Sequence, residues 1–126
     1  MADPHEICNV AGLKAMDYML KSAENAVLNI NYMFPSCVPA TFFEHSGAVL
    51  EASDVETVID NPKVLGLGEM MNYPGVVSAS PSILDKLETC WKRGKVIDGH
   101  IPSISGQGLD AYLSTGIKTD HECETP

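Results

Sequence analysis

Lys63-Val64-Leu65-Gly66-Leu67-Gly68-Glu69-Met70-Met71-Asn72 is a run of apolar residues and glycines that ends on a single carboxylate. Residues 63–70 read as a short buried strand, and the two glycines inside it allow another segment to approach the backbone closely. A glutamate just inside such a strand end is expensive to bury unless it is paired or bound to a metal. Glu69 is therefore both the end of a structural element and a candidate functional group.

Working outward, strand-like and helix-like segments alternate. Residues 12–25 place Leu13, Met16, Met19, Leu20 and Ala23 on one helical stripe. Residues 27–34 are rich in β-formers and stop at Pro35-Ser36, which predicts a strand and its exit loop. Ser53-Asp54-Val55-Glu56 has the form of a capping box opening a helix to about residue 60. Ser80-Pro81 starts a helix that turns Ile83, Leu84, Leu87 and Trp91 inward and ends near Gly94. Residues 95–98 form the next short strand, residues 105–115 a helix, and residues 116–119 the start of a last strand. This order predicts a parallel sheet in an α/β domain. Right-handed crossovers place the helices outside a barrel or on both faces of an open sheet.

Composition narrows the function classes. The 126 residues carry 17 acidic and 8 basic side chains, a formal net charge of −9. Such a surface repels phosphate backbones and anionic lipid, so neither nucleic acid nor a membrane surface is an expected partner. The longest nearly apolar stretch, residues 27–38, is too short and too interrupted to span a bilayer. The opening residues are neither basic nor followed by an apolar run, so a cytoplasmic chain without a signal peptide is expected. The four cysteines, Cys8, Cys37, Cys90 and Cys123, form no C-x-x-C pair and are expected as reduced, mostly buried thiols.

Polar residues follow each predicted strand. Asp3-Pro4-His5-Glu6 opens the chain, Pro35-Ser36-Cys37 follows the first strand, and Glu69 closes the second. Asp98-Gly99-His100 and Asp120-His121-Glu122 follow the next two. In parallel α/β folds these C-terminal strand ends face one way, and active sites are built there. Histidine nitrogens and carboxylate oxygens suit Zn, Mn or Fe, and a carboxylate can bridge two ions. Neighbouring acids, Asp98 beside His100 and Asp120 beside His121, would fix the imidazole tautomers.

These residues carry a family resemblance. Asp3-Pro4-His5-Glu6-Ile7, Pro35-Ser36-Cys37-Val38-Pro39-Ala40, Gly66-Leu67-Gly68-Glu69-Met70-Met71-Asn72-Tyr73-Pro74-Gly75, Asp98-Gly99-His100 and Asp120-His121-Glu122 occur in an order and spacing similar to the adenine deaminase family. That family belongs to the metal-dependent amidohydrolase superfamily. The resemblance runs from residue 3 to the end. It implies part of a (β/α)8 barrel, about four to five parallel strand–helix units without the first and last strands, in a single incomplete domain over residues 1–126. It implies a binuclear Mn2+ or Fe2+ centre with Glu69 as the bridging carboxylate and His100 and His121 as ligands to the second ion. These three are the expected catalytic and metal-binding residues. Asp3, His5, Glu6 and Glu122 are the expected substrate-binding residues, close to the purine. The implied reaction, in purine salvage, is hydrolysis of adenine to hypoxanthine and ammonia.

The sequence also departs from the family pattern. The family's first ion is bound by an H-x-H pair, and none occurs here. Its last strand brings a proton-handling aspartate, which is not expected in these residues. A whole barrel takes ~250 residues, so the chain reads as an internal fragment, silent as a catalyst by itself. Its open sheet edges would favour self-association or a complementing chain. The alternatives are a non-catalytic metal- or purine-binding remnant, and a related amidohydrolase acting on another cyclic amidine or amide.

Overall fold

A computed structural model describes residues 1–123. Helix α1 (His5–Ala11) leads through Gly12 into α2 (Leu13–Glu24); strand β1 (Tyr32–Phe34), helix α3 (Ala52–Val58) and strand β2 (Val64–Met70) follow. Next come α4 (Tyr73–Val77), α5 (Pro81–Lys92), β3 (Val96–Gly99) and α6 (Gln107–Ser114). The strands make one three-stranded parallel sheet in the order β1-β2-β3. Ahead of β1, Ala2 forms a parallel bridge with Tyr32. Its N–H donates to the Asn31 carbonyl at 3.0 Å, and its carbonyl accepts from Met33 N at 2.8 Å. The sheet thus advances sideways in chain order without reversing, which is the winding of a barrel wall rather than of a doubly wound sheet.

The strand count is lower than the sequence suggests: three strands and a bridge, not four or five. Two local causes account for this. In residues 27–31 Val27 and Leu28 stand out in solvent, and the ladder begins only where Tyr32 N donates to the Lys63 carbonyl at 2.8 Å. Residues 116–119 run beside β3 and bury Ile117, but Gly99 N–H donates to the Thr119 hydroxyl and the Asp98 carboxylate rather than to a backbone carbonyl. A side-chain bridge replaces the ladder there.

The helices differ in detail. α3 is capped by Glu51 rather than Ser53, with Glu51 N–H donating to the Asp54 carboxylate at 2.8 Å. Trp91, expected inside, is 70% exposed, because α5 turns Ile83, Lys86, Leu87 and Cys90 inward, one residue out of phase with it. α1 and α4 occupy segments where no helix was expected from the sequence. In α4 the Asn72 side chain accepts from Gly75 N at 2.9 Å, with Pro74 in the first turn, an N-cap signature.

The core lies around β2. Val64, Leu67 and Met70 are fully buried and belong to one cluster with Phe34, Met16, Leu20, Ile59, Leu87, Cys90, Tyr112 and Ile117. At about 25 cal/mol per Å2 of apolar surface removed from water, this burial is the main force holding helices to sheet. Cys8, Cys37 and Cys90 are buried free thiols and Cys123 is exposed. Among the described residues, no helix is long and apolar enough to cross a membrane.

Candidate metal centre

Parallel pairing brings the C-terminal ends of all strands to one rim, and hydrogen bonds tie those ends together there. The Ser36 hydroxyl, just past β1, donates to the Glu69 carbonyl at 2.6 Å. Lys86, buried on α5, donates to the Ser36 carbonyl at 3.0 Å. On the other side the Tyr112 hydroxyl donates to the Met70 carbonyl at 2.8 Å and accepts from His100 N–H at 2.9 Å. Glu69 is therefore presented by a backbone pinned on both sides, and His100 leaves β3 at a fixed place.

Three side chains meet at this rim. His100 Nδ1 lies 3.0 Å and His121 Nε2 3.4 Å from Glu69 Oε1. The two imidazole rings are 5.3 Å apart at 42°. One donor atom from each of the three residues falls within 4.8 Å of the other two. A second trio, Asp3, His5 and Glu69, satisfies the same limit and shares the glutamate. The triad expected from the sequence is brought together. Two surface cavities of about 580 and 590 Å3 include none of these ligating side chains.

The substrate-binding candidates divide. Glu6 and Glu122 are exposed. Asp3 and His5 are turned inward, with His5 Nδ1 3.5 Å from Asp3 Oδ1. His5 is the first residue of α1 rather than part of a loop. Burial raises the Asp3 carboxyl to about 6; His5 opposes that shift, and the nearby Glu69 charge adds to it.

The acids beside the histidines do other work than expected. Asp98 accepts from the Thr119 hydroxyl and from Gly99 N–H. Asp120 accepts from the backbone N–H groups of Ile101 and Glu122. Burial works against its ionised form, but these bonds hold the Asp120 carboxyl below the usual range. Among the described residues neither acid hydrogen-bonds its neighbouring imidazole; each shapes the loop that carries it. A short acidic side chain one or two positions from a histidine reaches its own turn more readily than the ring. The supports that sequence reading missed are Ser36, Lys86 and Tyr112. Only Ser36, inside the Pro35–Ala40 motif, had a signal to find it by.

The donor set and its surroundings fit a metal ion. His100 Nδ1, His5 Nδ1 and Asp3 Oδ1 are shielded from solvent and have no hydrogen-bond partner among the described residues. His100 Nδ1 is within 3.0 Å of a carboxylate oxygen without the alignment of a hydrogen bond. Buried polar atoms are nearly always partnered, and imidazole nitrogens left open beside carboxylates are what a divalent cation requires. A parallel barrel wall with such a cluster at its C-terminal rim is the architecture of metal-binding barrel proteins. The Amidohydrolase family description matches residues 1–126, and the chain belongs to that family.

More particularly, it is 52% identical over 125 residues to the adenine deaminase of Clostridium acetobutylicum and 52% identical to adenine deaminase 2 of Desulfotalea psychrophila. Identity to the adenine deaminase of Ligilactobacillus salivarius is 51%. Each match takes in 99% of this chain and 22% of the relative. The chain thus spans about a fifth of the length of these relatives.

Proposed function

We propose that this chain carries the bridging carboxylate and one histidine pair of an adenine deaminase centre, serving purine salvage in the cytoplasm. The observation that carries the reading is the convergence of His100 and His121 on one oxygen of Glu69. Relatives about half identical over the whole chain and named adenine deaminase support the choice of substrate. Glu69, His100 and His121 would hold a divalent ion, Mn2+ or Fe2+, which when bound supplies an acidified water as nucleophile at neutral pH.

The chain's own residues position and orient. Glu69 brings negative charge to the rim, and Ser36 holds its carbonyl so that the carboxylate stays at the strand end. His100 is set by Tyr112, and His121 by the turn that Asp120 organises. Glu6 and Glu122, both exposed, would accept hydrogen bonds from purine N–H groups. The 126 residues alone, with no H-x-H pair, bind a cation without deaminating adenine, and associate through their sheet edges.

A chimera tests the proposal. Residues 1–126 replace the matching segment of the Clostridium acetobutylicum enzyme, and ammonia release from adenine is followed with Mn2+ present. The expected result is an active chimera that loses activity by orders of magnitude on Glu69→Gln. A folded, metal-loaded chimera that leaves adenine untouched would refute it.

A further inference from the structure

We infer that the surface cavity at Lys86 binds a flat heterocycle through an exocyclic oxygen, and that its ligand is an oxopurine of the kind adenine deamination releases. The choice of ligand rests on the adenine deaminase reading. The site itself lies apart from the metal centre and would hold product rather than substrate.

The cavity, about 580 Å3, lies between the loop that follows β1 and the N-terminal half of α5, and none of the metal-ligating side chains lines it. That volume suits a small-molecule ligand. Lys86 lines the cavity and is only 6% exposed. Its ammonium donates to the Ser36 carbonyl at 3.0 Å. Among the described residues it has no other hydrogen-bond partner and no carboxylate at ion-pairing distance. An ammonium has three protons to donate, and a buried cation left this open is costly until an oxygen acceptor completes it. Phe42 and Phe43 also line the cavity, both exposed, with ring centroids 3.9 Å apart at 38°. Two apolar rings standing in water give a flat heterocycle a surface to stack on. Beside them Glu44 Oε1 accepts from the Thr41 hydroxyl at 3.2 Å, while Oε2 has no hydrogen bond among the described residues and is free to take a ring N–H. Glu44 and Glu51 both line the cavity, so phosphate would meet two like charges and a neutral oxopurine would not. Hypoxanthine offers an oxygen, a flat body and ring N–H groups. Adenine carries an amino group where hypoxanthine has its oxygen, and an ammonium has no acceptor to meet it.

Calorimetric titration of the metal-free 126-residue chain with hypoxanthine, adenine and inorganic phosphate decides this. Hypoxanthine is expected to bind at least ~10-fold more tightly than adenine, the scale of one hydrogen bond to a charged group. Lys86→Met keeps the stem and removes the ammonium. It should weaken hypoxanthine roughly 10- to 100-fold and narrow its lead over adenine, which a purely structural role of Lys86 would not do. Phe42→Ala changes an exposed side chain outside the core and should weaken both purines roughly 10-fold, the scale of one stacked ring. Glu69→Gln should leave hypoxanthine affinity as it is. The inference fails if folded wild type ignores hypoxanthine, binds adenine equally well or prefers phosphate. It also fails if Lys86→Met and Phe42→Ala both bind as wild type does, or if Glu69→Gln abolishes binding and so moves the ligand to the metal centre. Each of these leaves an active chimera standing as support for the deaminase reading. A dead chimera with hypoxanthine binding intact defeats that reading alone.

Discussion

The Tyr112 hydroxyl accepts the backbone N–H of His100 at 2.9 Å while donating to the Met70 carbonyl at 2.8 Å. A residue of α6 therefore fixes the distance between the end of β2, which carries Glu69, and the exit of β3, which carries His100. Tyr112→Phe takes the hydroxyl away from the buried Met70 carbonyl and the part-buried His100 N–H. It is expected to destabilise the chain by about 1–3 kcal/mol and to weaken Mn2+ binding roughly 10-fold, the lower end of what outer-shell changes cause. Urea denaturation and calorimetry measure the two effects. A variant destabilised as stated but binding Mn2+ as well as wild type would show that Tyr112 serves the fold and not the centre.

Direct ligands should matter more. His100→Gln or His121→Gln is expected to lower Mn2+ affinity at that position by more than the roughly 10–100-fold that outer-shell substitutions cause. Folding should hold, since neither side chain belongs to the hydrophobic core. Equal affinity in either variant would remove that histidine from the centre.

Gly68→Ala tests the close approach of the Asp3 carboxylate to β2. The new β-carbon meets the Asp3 carboxylate and the Met33 side chain, and forced overpacking of this kind typically costs about 1–3 kcal/mol. The expected outcome is a lower urea midpoint. Gly94→Ala is the control for a glycine away from the sheet: with φ 63° it is strained by a side chain, but its β-carbon would have no neighbour within 4 Å, so it should lower the midpoint less.

Alkaline stability should follow the buried thiols. Burial raises both Cys8 and Cys90 from 9.0 to about 11. Between pH 9 and 11 the unfolded chain therefore loses these protons while the native chain keeps them, and stability falls as pH rises. The contribution is fully present below pH 9 and gone above about 11. Urea midpoints measured from pH 8 to 11 should decline in wild type and decline less in Cys90→Ala. Thiol labelling at pH 8 gives an independent check. Exposed Cys123 should react first, and Cys8 and Cys90 only on unfolding.

Much of the site was legible because its residues sit next to strand ends in the chain. The Gly66–Gly75 motif marks both a buried strand and its carboxylate, and Asp98-Gly99-His100 marks the next exit. Parallel pairing then leaves Glu69 and His100 little choice but to meet. The shorter sheet was harder to read. Residues 27–34 and 116–119 have strand-like composition, yet a ladder needs a neighbour in register. Solvent claims Val27 and Leu28, while Thr119 and Asp98 bridge where backbone would have paired.

By itself, then, the sequence determined the class of the element order and the family, and it pointed to Glu69, His100 and His121 as candidates, because those depend on local pattern and residue chemistry. Tertiary structure alone decided that Asp3 and His5 turn toward Glu69 instead of outward. It also decided that Asp98 and Asp120 bind their own loops, and that Ser36, Lys86 and Tyr112 hold the rim. Those outcomes depend on which atoms lie within 3 or 4 Å after the chain has packed. No pattern along the sequence encodes that distance.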